Sequence, residues 1–296
     1  MPEIPDLTVY VEHLRDRLAG RRLAGIRIAS PFLLRSVSPA VDEVIGREVI
    51  DARRLAKQIV LELTDDCFVV VHLMIAGRLR WYDEPKPVPK RNGLAAFDFD
   101  NGSLILTEAS RKRRASLRLV SGRTALAALD PGGLEVFDID FETFFHRLGA
   151  TPHTVKRALT DQRVFAGIGN AYSDEILFEA GMSPFKLGRH MTAAEARKLF
   201  ETCRNVLARW IGTLRAETGA KFPSKVTAFH PKMAVHGKYR QPCPVCGAPV
   251  QRILRSENES NYCARCQTGG RLLADRSLSR LLKDTYPKRI EELEGP

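Results

Sequence analysis

Residues 161–184 read DQRVFAGIGNAYSDEILFEAGMSP, and their reading decides the second half of the fold. The residues before them, 154–160, follow a helical pattern. Gly167-Ile168-Gly169 breaks that pattern with a turn, Asn170 is expected to cap a second helix over 171–180, and Gly181 stops it. Two helices joined by a glycine turn form a helix–turn–helix unit. The backbone N–H groups of such a turn, with the positive end of the following helix, suit a phosphate. Taken alone, the pattern fits a packed helical hairpin equally well.

Toward the C-terminus, Cys243, Cys246, Cys263 and Cys266 are spaced C-x2-C-x16-C-x2-C. Two thiolate pairs of this spacing, one from each end of a hairpin, close a tetrahedron around one Zn2+. Four thiolates leave no open coordination position, so the expected metal is structural. Pro242 and Pro244 stiffen the first knuckle and Gly247 permits its turn. Two disulfides are the competing use, which the intracellular character expected of the chain argues against. The other cysteines, Cys67 and Cys203, sit in an apolar run and a helical pattern, and read as small buried hydrophobes.

Toward the N-terminus, the helical texture spans Phe141 to Glu217, with 192–214 the longest piece and Thr192/Glu195 a capping box. Asp130-Pro131-Gly132-Gly133 marks a change of texture. Before it, residues 23–121 read as short strands, with turns at Asp65-Asp66 and Asn101-Gly102 and an exposed Pro-rich loop over 83–93. Pro5 to Ala19 reads as a helix closed by Gly20. The expected fold is α+β: an N-terminal helix plus an antiparallel β-sandwich, then a helical domain with the helix–turn–helix and a four-cysteine β-hairpin. The expected divisions are 1–130, 131–230, 235–270 and a C-terminal extension, 271–296, with a short amphipathic helix.

The chain has 296 residues, enough for two domains, and its 44% hydrophobic and 27% charged composition excludes wholesale disorder. The longest apolar run, Cys67 to Gly77, is interrupted by His72 and falls well short of the ~20 residues of a spanning helix. Acids at Glu3 and Asp6 and the lack of an apolar stretch argue against a signal peptide. The expectation is a soluble cytoplasmic protein. A formal net charge of +11 points to a polyanionic partner, nucleic acid before membrane. At the start, Met1-Pro2-Glu3 offers a secondary amine once Met1 is removed. An α-amine titrates about 2 units below lysine, so it is partly neutral and nucleophilic near neutral pH. Attack on a sugar aldehyde carbon would give an iminium, with Glu3 placed to move protons.

Met1-Pro2-Glu3, the 161–184 segment and the cysteine hairpin, in this order, resemble the formamidopyrimidine-DNA glycosylase / endonuclease VIII family, as an atypical member. The family opens with Met-Pro-Glu. Its helix–two-turn–helix is matched by Asp161, Gln162, Ala166, Gly167, Ile168, Gly169, Asn170, Tyr172, Asp174, Glu175, Ile176 and Leu177. Its zinc finger ends in Cys-x-x-Cys-Gln, here Cys263 to Gln267. The resemblance covers residues 1–270. It implies a base-excision-repair enzyme, a bifunctional DNA glycosylase and abasic-site lyase acting by β,δ-elimination. Pro2 would attack C1′, Glu3 would serve as acid/base, and Lys57 would grip phosphate and support catalysis. Asn170, with Gly169 in the same turn, would hold backbone phosphate near a flipped-out lesion. The implied partner is damaged DNA, as duplex and also as single-stranded or looped substrate. The implied state is a monomer with one structural zinc, associated with the nucleoid. The alternatives are a catalytically impaired damaged-DNA-binding protein on the same scaffold, or a zinc-ribbon nucleic-acid binder unrelated to repair.

Four segments depart from the family. Where it inserts a Met from His-Leu-Gly-Met-Ser-Gly, this chain has His72-Leu73-Met74-Ile75-Ala76-Gly77, so either Ile75 replaces the wedge or Met74 is displaced. Where it inserts two side chains from Arg-Arg-Phe-Gly, this chain has Arg111-Lys112-Arg113-Arg114 with no aromatic, leaving Arg113 and Arg114 as the probing residues. Weak reading of the opposite strand follows as an expectation. The segment 219–226 is shorter than in members that cap 8-oxoguanine, which makes that lesion a poor expected substrate. At the finger tip Asn258 stands at the family's arginine position between Glu257 and Glu259, and Arg255 is the expected substitute.

Overall fold

Strand alternation builds the first half of the molecule. In the computed structural model, which describes residues 1–223, 230–255, 258–274, 280–281 and 287–294, eight strands form two four-stranded antiparallel sheets. One sheet runs in the order β1 (Leu23–Ile28), β6 (Gly93–Phe99), β7 (Gly102–Glu108), β5 (Gly77–Tyr82). The other runs β2 (Val49–Leu55), β3 (Gln58–Leu63), β4 (Cys67–His72), β8 (Ser116–Ser121). In β3 and β4, Ile59, Leu61, Leu63, Cys67, Val69 and Val71 point into the main core with Leu104 and Leu106 of the other sheet. Their alternates Val60, Phe68 and Val70 point the other way and are covered by Leu126 of α3 (Arg123–Ala127). Burial on both faces explains why these strands read as unbroken apolar runs.

Helix α1, Ile4–Leu18, joins this core through Leu7, Val11, Leu14 and Leu18, whose four-three-four spacing makes one stripe, and the short α2, Val41–Val44, adds Val44. It stops at Gly20, which takes the left-handed φ of +73°. Cys67 and Cys203 are buried as expected, and burial pushes the Cys203 thiol pKa up.

The second half is helical: α4 (Phe141–Gly149), α5 (Val155–Thr160), α6 (Asn170–Glu179) and α7 (Ala193–Thr218). Thr192 and Glu195 complete the capping box, with Glu195 N–H donating to Thr192 Oγ1 at 3.2 Å and Thr192 N–H to Glu195 Oε2 at 2.9 Å. Strands β9 (Gln251–Arg255) and β10 (Asn258–Tyr262) form the finger hairpin, followed by α8 (Ala264–Thr268). Two compact units result: Met1–Gly132 with 208–227, and Gly133–Leu207 with 228–296. The described ends of the C-terminal extension pack on the finger. Leu272, Leu273 and Ile290 enter the finger's own core, and Leu272 N–H donates to Lys288 O while Ile290 N–H donates to Gly270 O. Leu278, Leu282 and Tyr286, on which the expected helix also rested, lie outside the described residues. No described helix is long and apolar enough to cross a membrane.

Candidate functional site

In the first unit the chemistry gathers at the start of α1. Glu3 is its N-cap residue in extended backbone and is 2% exposed, and Pro2 is buried beside it. The Glu3 N–H donates to Asp6 Oδ2 at 2.9 Å, the usual reach of an acid at the third helical position. Burial lowers the pKa of the N-terminal amine; Glu3 and Asp6 oppose that shift, while Arg78 and Lys57 add to it. Removal of Met1 would hand this environment to the Pro2 nitrogen. Lys57 sits in the tight turn between β2 and β3, next to Ala56 at a left-handed φ of +49°. Burial lowers its pKa too, with Glu3 opposing.

Three further residues belong to this neighbourhood and escaped the sequence reading as site residues. Asp6 is 3% exposed, and burial raises its pKa to about 7 against the pull of the Glu3 N–H. His72, at the end of β4, is held down to about 4 by burial first, then by Lys57, Arg118 and the N-terminal charge. Met74 N–H donates to His72 Nδ1 at 3.0 Å, so the neutral imidazole carries its proton on Nε2 and has a donor to give. Arg78, the third, bears on both the amine and Asp6. The signals for two were present: Asp6 stands three residues after the cap, and His72 interrupts an apolar run. Nothing in the sequence marks Arg78.

The two departing loops have defined shapes. Met74 takes a left-handed φ of +52° with its N–H bound to His72, and Ile75 is the residue put forward, 59% exposed. Of the two alternatives in this segment, Ile75 holds the outward position. Arg111 through Arg114 are exposed. The loop is anchored by the buried Glu108 carboxylate, which accepts from Arg114 N–H at 3.1 Å and Ala115 N–H at 2.9 Å. Arg113 donates to Arg91 O at 2.9 Å.

In the second unit α5, the turn and α6 are tied by one side chain. Gln162 Oε1 accepts from Gly167 N–H at 2.8 Å, while its Nε2 donates to Ile168 O at 2.8 Å and Thr160 O at 2.9 Å. Asp161, paired with Arg163 at 2.7 Å, has its pKa pulled down to about 2 by that hydrogen bond. The cap of α6 corrects the sequence reading. Gly169, which has no side-chain acceptor, occupies the N-cap, and Asn170 is the first helical residue. The backbone decides it: Gly169 takes the extended conformation of a cap, φ −133° and ψ −157°, one residue before Asn170, whose Nδ2 donates to Glu259 O of the finger strand at 2.5 Å.

In the finger, the four Sγ atoms of Cys243, Cys246, Cys263 and Cys266 lie within 4.8 Å of one another. Opposed pairs are 3.8 Å (Cys243–Cys266) and 3.4 Å (Cys246–Cys263) apart. A zinc–sulfur tetrahedron with ~2.3 Å bonds has edges of ~3.8 Å, so the four thiolates are gathered at about the spacing one Zn2+ requires. Gly247 turns the knuckle at φ +74°. Gln267 locks the second one, accepting Cys263 N–H at 2.8 Å and donating to Met182 O at 2.8 Å. Arg255 is the last residue of β9, across from Asn258. The tip, Ser256 and Glu257, lies outside the described residues, as do Ser224, Lys225 and Val226 of the segment after α7.

Profiles of the formamidopyrimidine-DNA glycosylase N-terminal domain, its H2TH domain and the zinc finger found in FPG and IleRS match residues 1–115, 129–220 and 240–269. The chain is 31% identical over 281 residues to a formamidopyrimidine-DNA glycosylase of Thermus thermophilus, covering 91% of this chain and 100% of that protein. The chain belongs to the formamidopyrimidine-DNA glycosylase family. The Laribacter hongkongensis enzyme is 30% identical over 274 residues, covering 90% of this chain and all of its own length. A solved complex between the Lactococcus lactis Fpg and an abasic site containing DNA shares the fold, with a TM-score of 0.78 at 23% identity over 90% of this chain and 99% of that one. This family member is a DNA glycosylase of base excision repair with a structural zinc in its four-cysteine finger. Residues 270–296 extend beyond the matched finger.

Proposed function

We propose that this glycosylase excises oxidised or damaged bases through a Schiff base at Pro2 and nicks the strand at the resulting abasic site by β,δ-elimination. One observation carries the reading: burial drives the N-terminal amine toward its neutral, nucleophilic form among Glu3, Asp6, Lys57 and Arg78. With Met1 removed, the Pro2 nitrogen forms the bond to C1′ as the glycosidic bond breaks, and the base leaves with a proton. Glu3, buried at the cap beside the amine, serves the proton transfers at the deoxyribose. Lys57 and the Nε2–H of His72 supply a cation and a neutral donor for the adjacent phosphate.

In the second unit, the start of α6 at Gly169 and Asn170 suits a backbone phosphate. The outward Ile75 serves as the apolar wedge, while the basic Arg113 and Arg114, and Arg255 at the end of β9, contribute charge. The polyanion implied by the net charge is therefore damaged DNA, the class bound by the Lactococcus lactis structure. A single apolar wedge and a probing loop without an aromatic support weak discrimination of the opposite base. Oxidised pyrimidines, formamidopyrimidines and abasic sites are the favoured lesions over 8-oxoguanine.

Borohydride trapping on abasic-site DNA tests the chemistry. The expected result is a covalent adduct that is lost in Pro2→Gly and in a chain whose N-terminus is extended, where the Pro2 nitrogen is an amide. Mass spectrometry should find Met1 removed. Quantitative retention of Met1, or no adduct from the processed chain, refutes the mechanism and leaves a DNA-binding protein. Lesion duplexes varied at the opposite base test the specificity: strong dependence on that base, or efficient release of 8-oxoguanine, refutes it.

A further inference from the structure

A cluster of charged and polar side chains is buried where α5, α6, the His236 segment and β10 meet, and neither the N-terminal chemistry nor the zinc uses it. Lys156 Nζ pairs with the Asp174 carboxylate, donates to Ser173 Oγ at 3.2 Å and to Asn170 O at 3.3 Å. The other Asp174 oxygen, Oδ2, meets His236 Nδ1 at 2.7 Å and accepts from Asn261 Nδ2 at 3.3 Å. The Asp174 and His236 side chains are 1% and 6% exposed. The next residue, Glu175, holds the His236 segment from the same helix, accepting the backbone N–H groups of Ala234, Val235 and His236 at 2.8, 2.9 and 2.9 Å.

The arrangement has a register. Asn170 and Asp174 are four apart on α6, hence on one face of the helix. On β10, Glu259 contributes its backbone carbonyl and Asn261, two residues on, its side chain. Asn170 Nδ2 donates to Glu259 O and Asn261 Nδ2 donates to Asp174, so two adjacent rungs join helix to hairpin. A one-residue slip of the strand breaks both rungs. The Asn170 bond also orients the amide itself. With one Asn170 amide hydrogen held on Glu259 O, the plane of the amide is set and its second hydrogen remains for an anion.

We propose that Asp174 is a positioning residue which, with His236 and Asn261, locks the zinc hairpin onto α6 in the register that presents Asn170 to a DNA phosphate. Lys156 balances the Asp174 charge, so the carboxylate stays in the interior as a neutralised joint. The proposal rests on the reading of Asn170 as a phosphate contact.

A double-mutant cycle on DNA affinity tests it, with fluorescence anisotropy of a duplex carrying an uncleavable tetrahydrofuran abasic-site analogue. His236→Phe and Asn261→Leu each remove one link and keep the Lys156–Asp174 pair, whereas Asp174→Asn strands the Lys156 charge and serves only as a third variant. Each of the first two is expected to weaken Kd about five- to tenfold with one zinc retained per chain, and to cost less than about twofold more in an Asn170→Ala background. Equal losses in both backgrounds, or full affinity in a folded, zinc-loaded single variant, overturn the coupling. A wild-type protein that does not prefer the abasic duplex overturns the DNA reading itself, and the coupling with it. The assay needs no catalysis, so failure of the Schiff-base chemistry leaves it readable.

Discussion

Burial acts in opposite directions on Asp6 and His72, two groups near the N-terminal amine. For Asp6 it raises the pKa from 3.8 to about 7. Between these values the unfolded chain has lost the proton that the folded chain keeps, so stability is full near pH 4 and is lost as pH rises through about 7. For His72 burial lowers the pKa from 6.5 to about 4. There the unfolded chain binds the extra proton, so stability is full above pH 6.5 and is lost as pH falls toward 4. The contributions are at most about 4 kcal/mol for Asp6 and about 3 kcal/mol for His72, and in the shared window they oppose each other. Thermal unfolding followed from pH 4 to 7 should expose them separately. Asp6→Asn removes the falling component, so its Tm rises with pH relative to wild type. His72→Gln removes the rising component, so its Tm falls relative to wild type. Parallel curves for all three proteins would refute the assignment. The sequence placed Asp6 and His72 on the chain but could not show their titration, because desolvation comes from β-strand and helix packing that brings distant residues around them.

At the scale of elements, the helix–two-turn–helix depends on Gln162. Its amide closes both turns, to Gly167 N–H on one side and to Thr160 O and Ile168 O on the other. Gln162→Ala leaves a buried amide without its acceptor and should cost about 1–3 kcal/mol. Urea unfolding should show a lower midpoint at unchanged slope. An unaltered midpoint would mean that the turns hold without this side chain. The motif was legible because its glycines and its Gln162 are local requirements of two tight turns. Which residue caps α6 was not. Asn170 has a capping side chain by composition, yet the extended residue is Gly169 and the Asn170 amide reaches the finger strand, some ninety positions away in the chain. The 72–77 segment behaves the same way: residue order along the chain left Met74 and Ile75 as equals. The bond from Met74 N–H to His72, with the left-handed backbone at Met74, decides that Ile75 faces out.

At the scale of the whole molecule, the zinc and the C-terminal extension stabilise one unit. All four ligands lie in the second unit, and Leu272, Leu273 and Ile290 pack around them. Tyr262 Oη accepts Leu273 N–H at 2.8 Å, which fastens the extension to β10. Chelation should therefore raise hydrogen exchange across 240–273 and 287–290 while β3 and β4 stay protected, and uniform exchange throughout would contradict it. Ending the chain after Gly270 should speed zinc release to a chromogenic chelator severalfold, since it removes three apolar residues from the finger core; an unchanged release rate would make the extension a bystander. Sequence by itself determined what depends on spacing: the four zinc thiolates, the glycine turn, and the short strands and turns that build two sheets. These are short-range geometric demands, so local residue order carries them. Tertiary structure alone decided which titratable groups lose water, which side chain of the wedge segment is exposed, and which strand the Asn170 amide holds. Those depend on the low-dielectric surroundings and long-range partners that appear only when the chain closes on itself.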